Sequence, residues 1–137
     1  MRKIPALIVL LSLLAVGCDP YQCSTPFGEG GQIDLSLPEF SPLLHPGGAV
    51  TINRGHKGIF VTRVSYSDFV AFDCACPNDN EVALRPDEEW GNSVLTCPTC
   101  RSRFNALDGT PLDGSATPCM LYQYGTSFDG HFLDIYP

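Results

Sequence analysis

Hydrophobic positions in the latter two-thirds of the chain fall into short runs rich in Val, Ile, Phe and Thr, each ended by Gly, Asp, Asn or Ser. This is a strand pattern, and it predicts strands at Ala49 to Asn53, Gly58 to Val64, Asp68 to Phe72, Glu81 to Leu84, Ser93 to Thr96, Ser102 to Ala106, Met120 to Tyr124 and His131 to Ile135. Turns fall at Arg54 to Lys57, at Ser65-Tyr66-Ser67 and at the Asp-Gly pairs that begin at Asp108, Asp113 and Asp129. No stretch of ten residues carries a helical stripe. The expected fold is all-β, with antiparallel pairing.

Ahead of the strands the pattern changes twice. Residues 34–48 set Pro38, Pro42 and Pro46 among apolar residues, which predicts an irregular strap packed on the domain rather than a regular helix. Residues 18–33 are rich in Gly, Pro, Ser and Gln without periodicity, the composition of a flexible tether.

The first 17 residues differ from everything that follows. Arg2 and Lys3 precede an apolar run from Ile4 to Val16, too short for the roughly 20 residues that span a bilayer, so the segment reads as an export signal. It ends in Ala15-Val16-Gly17-Cys18, which resembles the lipobox of bacterial lipoproteins and implies that Cys18 is acylated and becomes the first residue of the mature chain. The expected organisation is a signal over 1–17, a tether over 18–33 and one domain over 34–137. The expected location is the cell envelope, with the protein lipid-anchored and facing the periplasm or the outside of a membrane.

Without Arg2 and Lys3 the 8 basic residues become 6, against 15 acidic ones, for a net charge of −9. No cluster of Lys and Arg is present to grip phosphates, which argues against a nucleic-acid partner and leaves membrane attachment to the lipid.

The chemistry concentrates in Cys74-Ala75-Cys76-Pro77 and Cys97-Pro98-Thr99-Cys100, two close pairs separated by 20 residues. Each pair follows a predicted strand, where a tight loop can turn both sulfurs toward one point, and proline after cysteine favours such a turn. A metal site is the expectation, with disulfides as the alternative that an oxidising compartment permits.

From Lys57 to Ile135 the sequence resembles the Rieske iron–sulfur family. The stretches that carry the resemblance are GIFVTRV, DFVAFDCACP, VLTCPTCRSRFNALDGTPLDGSATPCMLYQY and DGHFLDI. The family holds a [2Fe-2S] cluster between a Cys-x-His loop and a Cys-x-x-His loop, with both cysteines on one iron and both histidines on the other. Cys74 and Cys97 match its cysteines, and Cys76 and Cys100 stand where its histidines stand. The positions of Phe104, Gly109, Gly114 and Tyr122 to Tyr124 fit as well. The resemblance implies a β-sandwich or barrel bearing a metal-binding subdomain of two loops, at about residues 73–107, and a role in electron transfer.

The departures are equally specific. None of the histidines, His45, His56 and His131, lies in either loop. Arg101 replaces a glycine and Ser115 a proline. The inter-loop segment is slightly long, and its Asp87-Glu88-Glu89-Trp90 stretch reads as a solvated turn whose tryptophan folds back on the sheet. Four thiolates without imidazole suit a [2Fe-2S] cluster of low potential, near about −400 mV, or a single Zn²⁺. Ser102 falls where the family often has a serine that hydrogen-bonds a bridging sulfide.

Cys23 and Cys119 remain as a candidate disulfide. Asp73 and Asp79, beside the first loop, read as solvent-facing carboxylates, because a charge next to thiolates repels them. No catalytic constellation or small-molecule site accompanies the cysteines, so the expectation is an electron carrier with an unidentified protein redox partner. The rival is a non-redox binding or structural module built around zinc or disulfides.

Overall fold

The computed structural model describes residues 23–137; the signal and Cys18 lie outside the described residues. Among the described residues, nine strands form two antiparallel sheets. The large sheet has the order β1-β9-β8-β4-β3-β2, built from β1 (Gly31–Asp34), β2 (Ala49–Ile52), β3 (Ile59–Arg63), β4 (Phe69–Asp73), β8 (Gln123–Phe128) and β9 (Phe132–Tyr136). The small sheet, β5-β6-β7, takes its strands from Arg85–Asp87, Gly91–Thr96 and Arg103–Asn105. The all-β expectation, with antiparallel pairing, is met.

Registers give the large sheet two distinct ends. Gly31 lies opposite Ile135, Tyr136 opposite Gly125, Gln123 opposite Phe72, Asp73 opposite Ile59 and Ile59 opposite Ile52. One end therefore gathers the start of β1, the Arg54–Lys57 turn, the exit of β4 into Cys74 and the entry to β8. This is the cysteine end. The opposite end carries the Val64–Asp68 turn, with Tyr66 80% exposed.

β3 and β4 are buried on both faces, and the period-2 alternation of a strand sorts their side chains between two cores. Ile59, Val61, Phe69 and Ala71 join Ile33, Leu43, Leu133 and Ile135 in one cluster. Phe60, Phe72, Cys74 and Cys76 join Leu95, Cys97, Phe104 and Leu121 in the other, which links the two sheets. The even-numbered positions of β4 and its extension thus carry both cysteines of the first pair on one face.

Three expectations change. The proline-rich strap forms a seven-residue 3-10 helix, Pro38–Leu44, with Pro38 at its start and Leu43 fully buried. Proline suits its first turn, where no intrahelical N–H is needed. The Arg63 guanidinium fixes it, donating to the carbonyls of Leu43 (2.9 Å), Ser65 (3.0 Å) and Tyr66 while lying over the Phe69 and Phe128 rings.

The tether is not free from Cys23 onward. Cys23 is disulfide-bonded to Cys119, Thr25 Oγ1 donates to the Met120 carbonyl, Phe27 stacks on Tyr122 at 4.4 Å, and Gly31 begins β1. Trp90 does not fold back on the sheet; it is 56% exposed, at a turn held by Asp87, whose carboxylate accepts the N–H groups of Glu89 and Trp90.

Candidate metal centre

The two cysteine loops leave parallel features of the fold. The first continues β4: Cys74 N–H donates to the Gly58 carbonyl, Leu84 N–H returns to the Cys74 carbonyl, and Ala75 bridges Ala83. The second is the tight turn after β6, closed by Arg101 N–H to the Cys97 carbonyl and Cys97 N–H to the Ser102 carbonyl. Closing it puts Arg101 at φ +64°, the one non-glycine residue with positive φ among those described. That conformation is the reason a glycine suits this position, and Arg101 holds it under strain.

The sulfurs of Cys76, Cys97 and Cys100 lie within 4.8 Å of one another. Cys76 and Cys100 are 3.6 Å apart, close to the ~3.8 Å edge expected between two thiolates on one tetrahedral metal with bonds of about 2.3 Å. Cys74 stands outside this group of three. It is buried on the same loop, its sulfur accepts the Phe60 N–H, and a Cβ placed on Gly58 would lie 3.8 Å from it.

Backbone groups are aimed at the sulfurs. Asn78 and Asp79 N–H groups face Cys76, and the Ser102 N–H faces Cys100. Ser102 is fully buried; its Oγ accepts the Ala116 N–H at 2.8 Å and lies 3.2 Å from Cys100 Sγ. Since that oxygen already accepts from Ala116, its own hydrogen is available to a Cys100 thiolate. Burial opposes ionisation of Cys100, but the Ser102 hydroxyl and N–H and the neighbouring thiols outweigh it, bringing its pKa down to about 7. Burial, then the neighbouring Cys97 thiol, pushes Cys76 up to about 12. Burial, then the charge of Asp73, does the same to Cys74, also to about 12.

Ionising four sulfurs in so enclosed a place would require a cation, and thiolates are the soft ligands that zinc and iron–sulfur clusters select. The donor set therefore fits such a group: three sulfurs converge, and a fourth is two residues from Cys76.

Asp73 corrects the sequence reading. It is fully buried, and its carboxylate accepts the N–H groups of His56 (2.7 Å), Lys57 (3.2 Å) and Ala75 (2.9 Å) and the Tyr124 hydroxyl (2.7 Å). Four donors replace the water that a carboxylate would otherwise require, which is why it can sit beside Cys74. The Tyr124 oxygen also accepts the Gly28 N–H at 2.9 Å, so the N-terminal segment is joined to the first cysteine loop through this pair. Gly55 leaves the room: at φ +70°, a Cβ there would come 2.5 Å from the Asp73 carboxylate. Nothing in the sequence around Asp73 marks it for burial; the clue is distant, in a tyrosine that follows a strand face and a Gly-His-Lys turn that offers backbone donors.

The histidines stay away from the sulfurs. His131 pairs with Asp34 at 2.9 Å, His56 lies 3.9 Å from Glu81, whose carboxylate also meets Lys57 at 3.3 Å, and His45 is exposed.

Fold and site together define an all-β protein with a cysteine-lined centre, able to hold a metal ion, between a strand extension and a turn. No protein-family model matches the sequence, and no curated protein matches it. Among solved structures, the chain is similar to the ferredoxin of carbazole 1,9a-dioxygenase from Nocardioides aromaticivorans IC177, with 19% identity and a TM-score of 0.49, over 83% of this chain and 99% of that one.

Proposed function

We propose that this is a membrane-tethered electron-transfer protein of Rieske-like build, in which Cys74, Cys76, Cys97 and Cys100 hold a [2Fe-2S] cluster. The observation that carries the reading is the convergence of Cys76, Cys97 and Cys100 from two loops onto one point, with N–H and O–H donors already directed at two of the sulfurs. When bound, the cluster supplies one-electron chemistry. The protein's own part is to exclude water around Cys74, Cys76 and Cys97, to leave Cys100 at the partly open edge, and to direct hydrogen bonds that stabilise negative sulfur. Cys18, as the acylated first residue, ties the domain to the membrane, and a protein redox partner exchanges the electron.

The 3.6 Å separation of Cys76 and Cys100 also suits one Zn²⁺ in a non-redox module. Anaerobic purification separates the two readings. Equimolar iron and acid-labile sulfide, with absorption across about 300–600 nm that bleaches on reduction, is expected for the cluster. A colourless protein with one zinc per chain would replace the electron carrier by the binding module.

A further inference from the structure

The N-terminal segment reaches the domain at its cysteine end by two routes. β1 starts there, Gly31 lying opposite Ile135, and Cys23 is joined to Cys119 with 5.4 Å between their Cα atoms. Cys119 belongs to the segment that covers the metal centre: three residues before it, the Ala116 N–H binds Ser102 beside Cys100, and three residues after it, the Tyr122 carbonyl accepts the Asp73 N–H.

The covalent geometry then limits where a lipid on Cys18 can lie. Five residue steps separate Cys18 from Cys23, and at no more than 3.6 Å each they reach about 18 Å. Adding the disulfide's 5.4 Å keeps the acylated residue within about 23 Å of Cys119. A domain of this size is roughly 35 Å across, so the closed disulfide holds the lipid nearer the cysteine end than the Tyr66 end. Without the disulfide, the same lipid would be free to lie about 47 Å from Gly31, thirteen steps away, and any face could turn inward.

The surface at the anchored end suits contact with lipid. Phe27, Leu107 and Met120 are 52%, 53% and 50% exposed. They occupy the segments that meet at the disulfide: Thr25 bonds the Met120 carbonyl, Phe27 stacks on Tyr122, and Leu121 N–H bonds the Gly109 carbonyl of the Leu107 turn.

We propose that the cysteine end, with Phe27, Leu107 and Met120 at its surface, is the face held against the bilayer that carries the Cys18 acyl chains, and that the Cys23–Cys119 disulfide keeps it there. The proposal rests on the reading of Cys18 as the lipidated residue. It places the metal centre close to the membrane plane, where a membrane-bound partner can meet it.

The test uses the full chain, expressed with its own signal and returned to phosphatidylcholine–phosphatidylglycerol vesicles containing a dansyl-headgroup lipid. Trp90 is the single tryptophan, so a Trp90→Phe background leaves one donor at a chosen end: Met120→Trp, or Tyr66→Trp at the other. Each is compared with the same variant in vesicles lacking dansyl. Energy transfer several-fold greater from Met120→Trp than from Tyr66→Trp is expected, and Cys119→Ser should shrink that contrast while the protein still floats with the vesicles. Leu107→Trp provides a second donor at the same end should Met120→Trp fold poorly. Equal or reversed transfer in a floating protein would overturn the orientation alone, and a contrast unchanged by Cys119→Ser would overturn the disulfide's part in it. A chain that does not float and retains its signal would remove the lipid reading and the orientation with it.

Discussion

Asp73 and Tyr124 illustrate how single side chains prepare the site without touching it. Removing the tyrosine hydroxyl would strip one donor from a buried carboxylate and one acceptor from the Gly28 N–H. Tyr124→Phe should therefore lower stability by about 1–3 kcal/mol, measurable by denaturant titration. Arg101 offers the opposite sign. Relief of left-handed backbone strain, about 1–2 kcal/mol, exceeds the extra chain entropy of glycine, about 0.5–1 kcal/mol, so Arg101→Gly should raise the melting temperature without loss of metal. The cysteines were legible as single residues because their spacing is itself chemical information. Asp73 was not, since burial of a carboxylate depends on donors from residues 56, 57, 75 and 124, which only the completed fold brings together.

At the level of elements, the β3–β4 pair, β6 and β7 could be read from alternation and turn residues, whereas β5 could not: the run at Glu81 to Leu84 supplies only the Ala75–Ala83 bridge, and the strand forms at Arg85–Asp87, which has no buried residue. β1 could not: Gly31-Gln32-Ile33-Asp34 holds one buried apolar residue, Ile33, and becomes a strand only because β9 offers it an edge. β8 lies later than the Met120 to Tyr124 run, since between the core residues Tyr124 and Phe128 it passes through Gly125-Thr126-Ser127, which carry little hydrophobic signal. The N-terminal segment and the 3-10 helix depend on individual fastenings. Cys23→Ser opens a loop of 96 residues and should cost about 2–4 kcal/mol, read as a fall in melting temperature under oxidising conditions that reductant does not increase further. Arg63→Met should cost about 1–3 kcal/mol by leaving the last carbonyls of the 3-10 helix without their donor.

For the whole molecule, the cysteine site lies within the core that joins the two sheets, so removing a metal bound there should loosen their union as well as the loops. Single Cys→Ser changes at Cys74, Cys76, Cys97 or Cys100 should each remove most metal binding and lower the melting temperature, whereas Cys119→Ser should retain the metal. Cys76→His with Cys100→His restores the ligand set of the family that the sequence resembles. If the centre holds a [2Fe-2S] cluster, that double variant should keep it at a markedly higher reduction potential by protein-film voltammetry. Zinc alone in the double variant would favour the binding module. The pairing of β1 with β9 and of Cys23 with Cys119 also governs the order of assembly. The first segments of the domain to leave the ribosome wait for the last, about 5–20 s later at ordinary rates of synthesis. Within that interval Cys23 has no correct partner, and all four site cysteines emerge before Cys119 does, so premature oxidation would trap scrambled pairs. Efficient maturation in an oxidising compartment would therefore call for either rapid metal capture by those four thiols or a thiol–disulfide isomerase acting before the sheet closes.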